Sequence, residues 1–131
     1  MVKVLDASAL MAYLEKEPGH EKVTEALSKA VLSEKKLLMT VVNWGEVYYT
    51  LVREYGLEEA EKISGLIETF PIELILPDKE LAKQAALLKA TKKLPYVDSF
   101  AAALALTRKA QLVTTDGDFK AVENSISILW I

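Results

Sequence analysis

Five short apolar runs, separated by longer segments of helical spacing, are the strongest constraint on how this chain folds. The runs are residues 2–5, 37–42, 72–76, 111–115 and 125–130. Apolar runs this short suit strands buried in a sheet rather than helices. Between them, residues 7–16, 21–35, 43–55, 57–70, 79–92 and 95–109 read as helices, and 116–122 as a turn and short helix. The expected inward stripes are Val23, Leu27, Ala30 and Val31; Trp44, Val47, Tyr48 and Leu51; Ala60, Ile63, Ile67 and Phe70; and Val97, Phe100, Ala101, Leu104 and Ala105. Pro18-Gly19, Gly56 and Pro77 punctuate the pattern, and Asp78 is placed to cap the helix after it. Strands alternating with helices predict an α/β fold with a mostly parallel sheet and helices on both faces.

At 131 residues the chain is expected to be a single domain spanning 1–131. It has no cysteine, which excludes disulfides, zinc–thiolate sites and thiol nucleophiles. Its one histidine, His20, sits in the Glu17-Pro18-Gly19-His20 turn as an ordinary solvated residue at the start of a helix. No run reaches the ~20 apolar residues of a membrane span. The opening segment carries Asp6 and lacks a basic leader, so the expectation is a cytoplasmic protein away from membranes.

The net charge of −3 argues at first against a polyanionic partner. The distribution of acids changes that reading. Of 19 acids only five are Asp, and four of these fall at predicted element boundaries of one kind. All strands of a parallel sheet end on the same edge, where ligands bind in open α/β folds. Asp6 follows the first strand, Glu46 opens the helix after the second, Asp98 opens the helix leading into the fourth, and Asp116 follows the fourth, with Asp118 two residues on. If these five gather around cations, 16 basic residues face 14 remaining acids.

Each acid has an ordinary structural explanation. Asp6 can cap a helix, Asn43-Trp44-Gly45-Glu46 has capping-box spacing, Asp98 suits a helix N-terminus, and Asp116-Gly117-Asp118 is turn chemistry. Together they would repel. Two unit charges ~4 Å apart cost about 4 kcal/mol at an effective dielectric of ~20. Helix N-termini return only about 0.3–1 kcal/mol each. Either some acids are protonated or a cation joins them. An all-oxygen set points to a hard ion, Mg²⁺ or Mn²⁺, and to attack of water on a phosphodiester. A receiver-like phosphoacceptor would need an acid ending the third strand, where Leu76-Pro77 stands. A phosphatase with an aspartate nucleophile would want an acid where Ser8 stands.

Four motifs in order resemble the PIN domain, and within it the small VapC-like toxins. They are Val4-Leu5-Asp6-Ala7-Ser8-Ala9-Leu10; Asn43-Trp44-Gly45-Glu46, with Asn43 where Ser or Thr is more usual; Asp98-Ser99-Phe100-Ala101-Ala102-Ala103; and Thr114-Thr115-Asp116-Gly117-Asp118-Phe119. The likeness runs from Val4 to the C-terminus. It implies a three-layer α/β/α fold with strand order 3-2-1-4-5. It implies RNA cleavage with one or two Mg²⁺ or Mn²⁺ ions, with Asp6, Glu46, Asp98 and Asp116 as catalytic ligands and Asp118 as a fifth ligand or outer acid. Ser8 and Thr114 are expected to hydrogen-bond the carboxylates or the phosphate. Arg53, with Tyr49 and Thr50, either lines an RNA path or is solvated helix surface. A small antitoxin and a second copy of the chain, forming a homodimer, are the implied partners. A DNA-directed nuclease and a catalytically silent partner-binding module are the alternatives.

Overall fold

The computed structural model describes residues 1–131, and in it every apolar run is a strand: β1 (Lys3–Leu5), β2 (Leu37–Thr40), β3 (Ile72–Ile75), β4 (Gln111–Thr114) and β5 (Ser127–Trp130). They form one sheet in the order β3-β2-β1-β4-β5, with every pairing parallel. The helices are α1 (Ala7–Glu15), α2 (His20–Ser33), α3 (Val41–Tyr55), α4 (Leu57–Ile67), α5 (Lys79–Lys92) and α6 (Tyr96–Arg108), with a 3-10 helix over Gly117–Val122. None is long and apolar enough to cross a membrane.

Successive side chains of a strand point to opposite faces, and two apolar clusters follow from that. Leu5, Leu37, Met39 and Val113 face α1, α2, α3 and α4. Val4, Leu38 and Leu112 face α5, α6 and the 3-10 helix. The result is the expected three-layer α/β/α arrangement.

Several local expectations change. Val31 is 62% exposed, so the inward stripe of α2 is Val23, Ala26, Leu27 and Ala30. The single stripe expected for α6 is too narrow, because all eight residues from Asp98 to Ala105 are buried. This helix packs against α5, α3, β1, β2 and β4 at once. The run Ala101-Ala102-Ala103 makes that possible, since methyl side chains let neighbours approach from every side. α1 stops at Lys16, whose backbone is left-handed, before Pro18-Gly19 is reached. Gly19 serves a different purpose. At φ +96° it lies so close to Ile131 that a Cβ there would fall 2.7 Å from the Ile131 carbonyl carbon. Asp78 caps α5 as expected, its carboxylate accepting the Leu81 N–H at 2.8 Å.

The start of α3 is a correction of more consequence. The sequence reading put Asn43 at the cap, but Thr40 holds that position, extended at φ −74° and ψ 150°, with its hydroxyl accepting the Asn43 N–H at 3.0 Å. Thr40 leaves β2 in the geometry a cap needs, so the helix begins at Val41.

Because α6 has no slack side, enlarging it is costly. Ala102→Leu is expected to lower unfolding stability by about 1–3 kcal/mol, measured by urea denaturation. A change within a few tenths of a kcal/mol would show room around α6 that this packing denies.

Candidate active site

The site grows from the pairing of β1 with β4. Leu5 lies opposite Val113, so the next residues, Asp6 and Thr114, meet at the strand ends. Asp6 is buried, and three donors satisfy its carboxylate. Oδ1 accepts the Ala9 N–H at 2.9 Å and the Ser8 hydroxyl at 2.7 Å; Oδ2 accepts the Thr114 hydroxyl at 2.6 Å. Capping α1 and sitting at the candidate site are thus both properties of Asp6. The network continues outward. Ser8 Oγ accepts the Thr115 N–H at 3.0 Å, Thr114 Oγ1 accepts the Asp116 N–H at 2.9 Å, and Asp116 Oδ1 accepts the Asp118 N–H at 2.9 Å.

Asp98 arrives from the other side, buried in the first turn of α6. One carboxylate oxygen from each of Asp98, Asp116 and Asp118 lies within 4.8 Å of the others. Burial falls across the trio: Asp98 is buried, Asp116 half-buried and Asp118 exposed. Glu46 is half-buried in the second turn of α3, not the first, because the helix starts at Val41. The help expected from the helix dipole is therefore largely lost to it, since that effect fades within one turn.

No basic side chain forms a salt bridge with any of these acids. Their charge states respond accordingly. Burial pushes Asp6 up to about 6, against the pull of its hydrogen bonds from Thr114, Ser8 and Ala9, and the Asp116 charge adds to the rise. Asp98 is pushed up to about 7, first by burial and then by the charges of Asp116, Glu46 and Asp6. Burial, followed by the Asp116 charge, also raises Glu46. Protonation and a bound cation would each relieve this electrostatic pressure. The donors are all hard oxygens, which suits an ion such as Mg²⁺ or Mn²⁺.

Arg53 is two helical turns beyond Glu46 on α3. It is exposed, sits 5.5 Å above the Tyr49 ring, and makes no ion pair or side-chain hydrogen bond with the acids. A cavity of about 790 Å³ opens at the opposite edge of the sheet, beside Lys3, Lys29, Lys35 and Lys36. Sequence reasoning missed one polar residue near the site, Thr40, and placed Asn43 as a helix cap although its side chain is buried. The signal was present as Thr40-x-x-Asn43, but reading residues 37–42 as strand hid it.

The PIN domain family matches residues 3–124. The chain belongs to the PIN-domain family. Solved structures agree on the fold. A VapBC2 structure from Rickettsia felis, bound to a promoter DNA fragment, has a chain similar to this PIN domain at TM-score 0.78 and 17% identity, over 100% of this chain and 99% of that one. VapBC-1 from nontypeable Haemophilus influenzae gives 0.74 and 15%, over 99% and 98%. VapC20 from Mycobacterium tuberculosis, a sarcin-ricin loop cleaving toxin, gives 0.69 and 18%, over 92% and 94%. No curated protein matches the sequence.

The raised carboxyls of this PIN domain set a pH dependence. Asp6 and Asp98 bind protons near pH 6 and 7 when folded, but only near ~3.9 when unfolded. Between those values the folded chain holds more protons, so stability falls as pH rises. In EDTA, the melting temperature is expected to be higher at pH 5 than at pH 8, and Asp98→Asn to raise it at pH 8. A melting temperature that instead climbs from pH 5 to 8, with no gain from Asp98→Asn, would contradict the crowding.

Proposed function

We propose that this PIN domain is a Mg²⁺- or Mn²⁺-dependent endoribonuclease that hydrolyses RNA phosphodiester bonds, and that it acts as the toxin of a toxin–antitoxin pair in the cytoplasm. The observation that carries the reading is the approach of carboxylate oxygens of Asp98, Asp116 and Asp118 to within 4.8 Å, next to buried Asp6 and with no salt bridge to a basic side chain. Such an arrangement is costly unless it serves to gather positive charge.

When bound, a divalent cation supplies Lewis-acid activation of water and neutralises phosphate charge. Asp98, Asp116 and Asp118 would hold it with the oxygens they already turn toward one another. Asp6 would contribute through Oδ2, which accepts a single hydrogen bond, either directly or through water. Ser8 and Thr114 fix the plane of the Asp6 carboxylate and so act as positioning residues. Glu46, electrostatically linked to both Asp98 and Asp116, would orient the attacking water and accept its proton, or help hold a second ion. The bond from the water oxygen to phosphorus would form as the bond to the leaving ribose oxygen breaks, and that oxygen would take a proton from solvent.

The sarcin-ricin loop cleaving toxin from Mycobacterium tuberculosis supports a nuclease reading, and the VapBC complexes support a small antitoxin partner. Exposed Tyr49, Tyr55, Leu57 and Leu66, on α3 and α4 and their ends, offer apolar surface to an antitoxin or to a second copy of the chain in a homodimer.

Purified protein incubated with RNA and with DNA is expected to cut RNA when Mg²⁺ or Mn²⁺ is present and to be inert in EDTA. Asp98→Asn should lower the rate at least ~100-fold, the scale of losing one preorganised electrostatic group, while keeping a cooperative melt. Asp6→Asn should lose activity as well, with some stability, because its amide would face the Ser8 and Thr114 hydroxyls. Cleavage of DNA alone would reassign the substrate. Metal binding without cleavage of either would leave a silent module.

A further inference from the structure

The two helices that bring Glu46 and Asp98 to the site come from distant parts of the chain, and one buried amide joins them. Asn43 is 1% exposed, and both ends of its side chain are engaged. Its Oδ1 accepts the hydroxyl hydrogen of Thr40, the residue that caps α3. Its Nδ2 donates to the Val97 carbonyl oxygen at 3.2 Å. That bond spans 54 residues of sequence and is the only side-chain hydrogen bond between α3 and α6.

The two ends of the bridge lie next to the acids. Glu46 is three residues after Asn43, on the same face of α3 and one turn on. Asp98 directly follows Val97 in the first turn of α6. No side chain caps that turn: Pro95 occupies the cap position, and its carbonyl accepts the Ser99 N–H and hydroxyl within α6 itself. Meanwhile the Glu46 charge acts on Asp98 across the gap. Mutual repulsion of these carboxylates pushes the two helix starts apart, and a directional bond between buried groups opposes it.

We infer that Asn43 is a positioning residue that sets the separation of Glu46 and Asp98 by tying the start of α3 to the start of α6. It touches neither substrate nor cation. The inference rests on the proposed metal site. A hydroxyl at this position would still pair with Thr40 but would be shorter than the amide that spans to Val97.

The test uses the whole chain and two variants. Asn43→Ala removes the bridge while the backbone N–H at position 43 keeps its bond to Thr40. Asn43→Asp preserves size and the contact with Thr40 but offers no donor to Val97. Mn²⁺ affinity is measured by calorimetry, RNA cleavage gives kcat and KM, and thermal melting reports folding. Both variants are expected to melt cooperatively, with Mn²⁺ affinity and kcat each falling ~10–100-fold, as for other groups that orient ligands. KM for RNA should stay within about threefold, since Asn43 does not meet the substrate, whereas a purely structural role would lower the melting temperature without weakening Mn²⁺ binding. Wild-type affinity and kcat in both folded variants overturn the inference, and so does failure of both to fold, which would make Asn43 a core residue only. If the wild type binds Mn²⁺ but cuts no RNA, the nuclease reading fails and Mn²⁺ affinity alone judges Asn43. If the wild type binds no Mn²⁺, both readings fall together.

Discussion

Parallel pairing of β1 with β4 is the contact on which the rest of this structure depends. These strands flank the point where strand order reverses, with β2 and β3 running away on one side and β5 on the other. Chain leaving β1 and chain leaving β4 therefore diverge to opposite layers of the sandwich, and the crevice between them is where Asp6 meets Thr114. A one-residue shift of β1 would exchange Val4 and Leu5 between the two cores and turn Asp6 away from its partners. Core packing and site geometry are thus fixed by the same register.

Hydrophobic packing supplies what the site spends. A carboxylate as deeply buried as Asp6 is tolerable because three donors saturate most of its hydrogen-bonding capacity. Asp98 has no such set of donors, and burial, then the Asp116, Glu46 and Asp6 charges, push it up to about 7. It persists because α6 is locked by contacts on every side, with alanines letting α5, α3 and the sheet close around it. A looser helix would relax by withdrawing Asp98 toward solvent.

Much of the fold was legible because strand and helix periods are local properties. The five apolar runs became strands, Asp78 became a cap, and Gly56 ended α3. The acids at strand ends and helix starts were legible for the same reason: topology sends those positions to one edge whatever the packing details. Less legible was the boundary between β2 and α3, where Thr40, Val41 and Val42 continue an apolar β-branched run and read as strand. Only the extended backbone of Thr40 and its bond to Asn43 reveal that the helix has started.

Sequence by itself determined which segments are strands and helices, which residues line the strand ends, and that their chemistry is all-oxygen and acidic. Tertiary structure alone decided that Asp118 joins Asp98 and Asp116, that Arg53 lies over the Tyr49 ring, that α6 is enclosed on all sides, and that the Asn43 side chain reaches Val97. The reason is physical. Periodicity and capping depend on neighbours within about one helical turn, whereas these four facts depend on distances between segments far apart in the chain, set only when the layers close.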